Sequence, residues 1–168
     1  MAIPETVTHQ DKLLCVDTTA HPFLKAFGGH EGIEIFPLFL DPYNGVWMIR
    51  ARFAPGLTLP MHFHTGVVHF YTISGSWYYT EYPNQKQTAG CYLYEPGGSI
   101  HQFNTPADND GPTDVIFLIV GANVNFMPDG SFISLSDAGQ IKTWVDQAIR
   151  AQDNGMKYIS AGIPGYSD

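Results

Sequence analysis

A train of short apolar, β-prone segments, separated by turn residues at nearly even spacing, most constrains what this chain can become. Ile33–Leu40 and Val46–Phe53 flank Asp41-Pro-Tyr-Asn-Gly45, where Asn44-Gly45 supplies the positive φ angles of a tight hairpin. Further segments run over Val67–Ser74, Trp77–Tyr82, Gly90–Tyr94 and Val115–Gly121. Ser74-Gly75, Pro83-Asn84, Pro96-Gly-Gly98 and Asn109-Asp-Gly111 punctuate them, and a last hairpin is expected at Asp129-Gly130. Short strands so spaced predict an all-β sandwich or barrel. Within Val46–Phe53, Trp47, Ile49, Ala51 and Phe53 share one face, and Met48, Arg50 and Arg52 the other.

The two ends depart from this pattern. Residues 1–32 read as irregular, with a strand near Lys12–Asp17 and a loop at Phe27-Gly-Gly-His30. Near the C-terminus, Ile141, Trp144, Val145, Ala148 and Ile149 recur at helical spacing, which predicts an amphipathic helix over 137–152. It is expected to lie on the outside of the barrel, with Ile141, Trp144, Val145 and Ile149 buried. No linker or repeat divides the sequence, so 1–168 reads as one domain.

Hydrophobic residues make up 44% of the chain and charged residues 14%, enough for a buried core. The net charge is -8 with no basic run, which argues against nucleic acid or an anionic membrane as partner. The N-terminus lacks a basic start and an apolar stretch, and no segment is long and apolar enough to span a bilayer. Cys15 and Cys91 are too far apart for a metal knuckle and are expected as buried, reduced thiols of a cytoplasmic protein.

Seven histidines stand at 9, 21, 30, 62, 64, 69 and 101. On a strand, residues i and i+2 face the same way, so His62-Phe-His64 can aim both imidazoles at one point. Neutral imidazole is a common ligand of divalent transition metals. Around this pair, Gly56, His62, His64 and Gly75 match one motif, and Gly90, Pro96, Gly98 and His101 a second. These two motifs resemble those of the cupin superfamily over about residues 50–121. The resemblance implies a double-stranded β-helix, a jelly-roll-type barrel, with His62, His64 and His101 converging on a metal.

Two positions depart from the motifs. Val68 or His69 occupies the place of the cupin glutamate, depending on the gap, and Asn104 falls one residue short of its place. His69 is therefore a candidate ligand or a pocket-lining neighbour. Imidazoles alone would leave a divalent charge uncompensated, so such a centre should favour an anionic ligand. Trp77, Tyr79 and Glu81 share a face by period two; if it is inward, Glu81 can take a substrate proton, and if outward it is solvated. Arg52 is similarly open between gripping a substrate oxygen and facing solvent. Glu95, before Pro96, reads mainly as polar turn punctuation.

A closer resemblance lies within the cupins. His62-Phe-His-Thr-Gly-Val-Val-His69, Thr72, Gly75, Trp77, Tyr79, Glu81-Tyr82, Tyr92-Leu-Tyr94-Glu-Pro96 and His101 resemble the 2,4'-dihydroxyacetophenone dioxygenases. The His-x-His spacing and Asn125-Phe-Met-Pro-Asp-Gly130 are similar to β-diketone (acetylacetone) dioxygenases. This likeness implies a non-haem Fe(II) enzyme that uses O2 to cleave a carbon–carbon bond beside a ketone, in a hydroxyketone or 1,3-diketone. Catalytic roles would then fall to Glu81, His69 and Arg52. A homodimer or homotetramer is expected at the family level. The alternative is a non-catalytic cupin that senses metal or binds a small ligand, holding Zn2+ or another divalent transition metal.

Overall fold

A computed structural model of the protein describes residues 13–161. Twelve strands form in chain order: β1 (Ile33–Asp41), β2 (Val46–Phe53), β3 (Met61–His64), β4 (Val68–Ser74), β5 (Ser76–Tyr79) and β6 (Gln87–Thr88), then β7 (Tyr92–Glu95), β8 (Phe103–Asn104), β9 (Thr113–Val120), β10 (Asn123–Phe126), β11 (Phe132–Ser136) and β12 (Ile159–Ser160). One helix, α1 (Ala138–Ala151), precedes β12. A six-stranded sheet in the order β12-β1-β2-β9-β4-β7 is complemented by two three-stranded sheets, β11-β10-β3 and β6-β5-β8. Their inner faces share one core, so the architecture is the expected all-β barrel with a C-terminal helix.

Alternation decides what faces that core. In β2 the residues Trp47, Ile49, Ala51 and Phe53 are buried, while Met48, Arg50 and Arg52 turn outward. Strand β9 pairs with β2 and β4 and contributes Val115, Phe117 and Ile119 to the same interior. Phe70, Trp77 and Phe103 complete an aromatic cluster, with ring centroids 4.6 Å apart for Phe70 and Trp77 and 5.1 Å for Trp77 and Phe103. Glycine is required where β4 turns into β5. Gly75 has φ +75°, and a Cβ there would lie 2.8 Å from the Thr113 Cα.

Helix α1 starts where the chain supplies a cap. The Asp137 carboxylate accepts the Gln140 backbone N–H at 2.8 Å. Ile141 and Val145 are buried, and Trp144 packs edge-on against Phe27 at 5.9 Å. Trp144 and Ile149 are only partly buried, because they sit at the borders of the apolar stripe. After the helix, β12 adds in parallel to β1 at Phe39 and Leu40.

Several sequence expectations change. Residues 13–17 carry no strand, and Lys12 lies outside the described residues. Phe27–Gly29 is a short 3-10 turn. Strand β5 ends at Tyr79, short of Tyr82. Cys15 and Cys91 are free thiols as expected, but Cys15 is exposed and Cys91 only half-buried, since neither falls on an inward strand position. Among the described residues, no helix is long and apolar enough to cross a membrane.

Candidate metal centre

The site grows from strand β3, where burial alternates and His62 and His64 point inward. His101 is brought opposite His62 by a backbone bridge. The His62 N–H donates to the His101 carbonyl at 3.0 Å, and the His101 N–H donates back at 2.9 Å. Thus residues 39 apart in sequence become cross-strand neighbours. Their Nε2 atoms lie 3.1 Å apart, and one ring nitrogen from each of His62, His64 and His101 falls within 4.8 Å of the others.

Electrostatics keeps these rings neutral. Burial, with His62 alongside, pushes His64 and His101 down to about 3, and burial lowers His62 despite its bond to Pro60. His62 Nδ1 lies 2.9 Å from the Pro60 carbonyl, which can only accept, so the ring proton sits on Nδ1 and Nε2 presents a lone pair. With the two other buried imidazoles close by, this lone pair belongs to a donor set suited to a cation. A divalent transition metal fits it by ligand type and convergence.

A fourth group borders the centre. Glu95, last residue of β7, is buried, and its Oε2 lies 3.5 Å from both His64 Nε2 and His101 Nε2. That oxygen has no hydrogen-bond partner, whereas Oε1 accepts the Tyr79 hydroxyl. Burial raises the Glu95 carboxyl to about 7, against the lowering effect of the Tyr79 hydrogen bond. The Tyr79 hydroxyl is itself raised well above its ordinary range, by burial and then by Glu95. The Tyr79 ring stacks on His101 with centroids 4.2 Å apart.

This placement corrects the expectation of a purely imidazole shell, since a carboxylate stands ready to offset a metal's charge. The sequence held one usable sign. Glu95 shares parity with the inward Leu93, while Tyr92 and Tyr94 point out.

The other candidates are not brought to the centre. His69 lies between the inward Val68 and Phe70, so its ring is exposed on the opposite sheet face, where Nδ1 meets the Tyr92 hydroxyl at 2.7 Å. Glu81 follows the end of β5, where the chain turns outward. It is exposed, and its carboxylate accepts the Gln102 backbone N–H at 3.0 Å. Arg52 sits on the outward face of β2, bonded to Asp114 at 3.0 Å and stacked over the Phe23 ring at 4.0 Å. Arg50 grips the same carboxylate through two bonds of 2.9 Å.

Beside the histidines lies an apolar cavity of about 70 Å³ walled by Phe53, Leu59, Val68, Phe70, Phe103 and Phe117, with Glu95 and Tyr79 at its edge. A cleft of about 310 Å³ borders the same centre and shares Leu59, His62 and Asn123 with the cavity. It carries His30, Asn125, Ser134 and Trp144 along its sides.

Comparison with known proteins agrees with this fold. Residues 11–122 match the family described as the ChrR Cupin-like domain. No curated protein matches the chain. A solved structure from Ralstonia eutropha JMP134, of unknown function with a cupin-like fold, shares 73% identity over 96% of this chain and 100% of its own, with a TM-score of 0.93. An RmlC-like cupin protein of the same organism superposes with a TM-score of 0.79 at 20% identity, covering 89% of this chain and 95% of its own. An acetylacetone dioxygenase from Acinetobacter johnsonii gives a TM-score of 0.65 at 18% identity over 87% of this chain and 99% of its own. At identities this low, the last two establish a shared fold.

Proposed function

The chain belongs to the ChrR cupin-like domain family, and from that fold we propose a non-haem Fe(II) dioxygenase that cleaves the carbon–carbon bond beside a ketone. The substrate would be a hydroxyketone or 1,3-diketone, with O2 as co-substrate. The observation that carries this reading is the convergence of three neutral imidazoles and one buried carboxylate beside an apolar cavity.

His62, His64 and His101 would hold the metal. Iron held there would relay electrons from an enolised ketone to O2, the substrate being the net reductant. Glu95 Oε2 takes the acidic proton from the carbon beside the carbonyl, a part the sequence had offered to Glu81. The Tyr79 hydroxyl holds Oε1 and keeps the other oxygen aimed at the centre. Phe53, Phe70, Phe103 and Phe117 exclude water, so the charge formed on enolisation is worth more to nearby groups than in bulk solvent. Both oxygen atoms of O2 end in the two carbonyl-bearing fragments.

Iron-loaded protein is expected to consume O2 with acidic ketones and to leave non-enolisable ketones of the same shape untouched, as read on an oxygen electrode. If no ketone in such a panel drives O2 uptake, or if zinc-loaded protein is equally active, the dioxygenase reading fails. One observation favours a second reading. Glu95 Oε2, 3.5 Å from two of the three histidines, offers a fourth protein donor that would close the set in the manner structural zinc prefers, which suits a zinc-holding, ligand-binding cupin without turnover. Metal analysis of protein purified without added metal separates the two.

For assembly the reading is a single cytoplasmic domain in a homodimer or homotetramer. The outer face of β4 and β7 supports self-association. It is free of formal charge in a chain of net charge -8, and exposes Tyr71, Tyr92 and Tyr94 at 47%, 59% and 52%.

A further inference from the structure

The three histidines differ in what holds their outer nitrogen. His62 Nδ1 meets the Pro60 carbonyl at 2.9 Å, and the Ser99 backbone acts on the His101 ring as a hydrogen-bonding neighbour. His64 Nδ1 is fully buried with no bond of good geometry. So is the side-chain oxygen of Asn123. These two residues stand directly opposite each other in the antiparallel register of β3 and β10. No other group bonds either atom, and the Asn123 side chain already acts on the ring as a hydrogen-bonding neighbour.

The backbone holds Asn123 there firmly. The Thr65 N–H donates to the Ala122 carbonyl and the Ala122 N–H to the Thr65 hydroxyl, both at 2.9 Å. Gly121, at φ +91°, lets the chain pass so close that a Cβ would stand 2.3 Å from the Thr65 hydroxyl oxygen. Its carbonyl accepts the Trp47 indole N–H at 3.1 Å. Asn123 is thereby clamped across from His64 while also lining the cavity and the cleft.

Resting on the reading of His62, His64 and His101 as metal-holding, we propose that Asn123 is a positioning residue. Its side-chain oxygen accepts the His64 Nδ1–H, fixing that tautomer and turning the Nε2 lone pair toward the metal. Two orphaned buried polar atoms facing each other across one register position are each costly alone and satisfied together. A small turn of the amide closes the bond.

Two measurements test this. In metal-free wild-type protein, ¹⁵N-resolved NMR of the His64 ring should show the proton on Nδ1; a proton on Nε2 overturns the proposal. For metal, Co(II) is titrated against a competing chelator and followed by absorbance. Asn123→Leu should weaken Co(II) roughly 10- to 100-fold, while Asn123→Asp, whose carboxylate also accepts the Nδ1–H, should stay within about threefold of wild type. Asn123→Leu binding as wild type does, or Asn123→Asp as weak as Asn123→Leu, overturns it, the latter by showing a merely structural role. If Asn123→Leu fails to fold, the wild-type tautomer still decides. If wild-type protein binds no Co(II), the metal reading fails, and the His64 tautomer separately decides the role of Asn123.

Discussion

Replacing His62, His64 or His101 by alanine removes one of the three imidazoles that converge on a single point, and each substitution is expected to abolish most metal binding. Elemental analysis of the purified variants is the check. His69→Ala should leave metal content unchanged, because its ring lies on the far face of β4 against Tyr92. Glu95→Gln keeps the shape and removes the charge, and should cut metal retention roughly tenfold or more if its oxygen reaches the ion. Full retention would restrict Glu95 to proton transfer. Glu81→Gln and Arg52→Gln touch exposed or outward groups and should alter stability by no more than about 1 kcal/mol, with metal content intact. At this scale the sequence marked the histidines and missed the acid. His62 and His64 follow from their i, i+2 spacing and His101 from the resemblance to the cupin motifs, but Glu95 matters only because the fold brings its Oε2 within 3.5 Å of His64 and His101.

The elements around the site make separable contributions. Helix α1 carries no candidate ligand, yet it covers one end of the core through Ile141 and Val145. Ile141→Ala should cost about 2–5 kcal/mol by leaving a cavity, and Asp137→Ala about 0.5–2 kcal/mol by freeing the first-turn N–H groups. Denaturant titration would measure both, and metal content should stay at the wild-type level. Truncation after Ser136 removes the helix and β12 together and should lower the melting temperature; an unchanged value would refute the structural role of α1. The helix was readable from its 3.6-residue period, with bounds one residue wide at each end, and the structure assigns Asp137 as its cap. The short strands β6, β8 and β12 were not. Each spans two residues, too few for alternation to register, and each exists only because a neighbouring strand supplies its hydrogen bonds.

For the molecule as a whole, the buried titratable groups couple stability to pH. In metal-free protein, His64 and His101 are held at about 3 against an ordinary value of 6.5, so below pH 6.5 the unfolded chain binds more protons and stability falls. Glu95, held at about 7 against 4.5, works the other way and favours the fold as pH drops from 7 to 4.5. Two histidines outweigh one glutamate. The metal-free melting temperature should therefore fall between about pH 6 and pH 4.5, steepening below that as the Glu95 contribution ends. Added divalent metal should raise the melting temperature at pH 7.5, since it binds the folded site and not the open chain.

The sequence by itself determined the all-β class, the C-terminal helix and the identity of His62, His64 and His101 as a candidate set. The class, the helix and the His62-x-His64 pair are local properties: turn residues set backbone angles, periodicity sets the buried face, and His-x-His on a strand needs no distant partner to be recognised, whereas His101 was marked by the resemblance to the cupin motifs. Only the tertiary structure decided which other groups reach the centre. Whether a strand residue points in or out depends on where the strand begins, and a shift of one residue reverses the answer. Thus β5 ending at Tyr79 sent Glu81 outward, and the parity of β4 sent His69 to the outer face. The register of β3 against β10 set Asn123 opposite His64, and the close of β7 carried Glu95 into the interior.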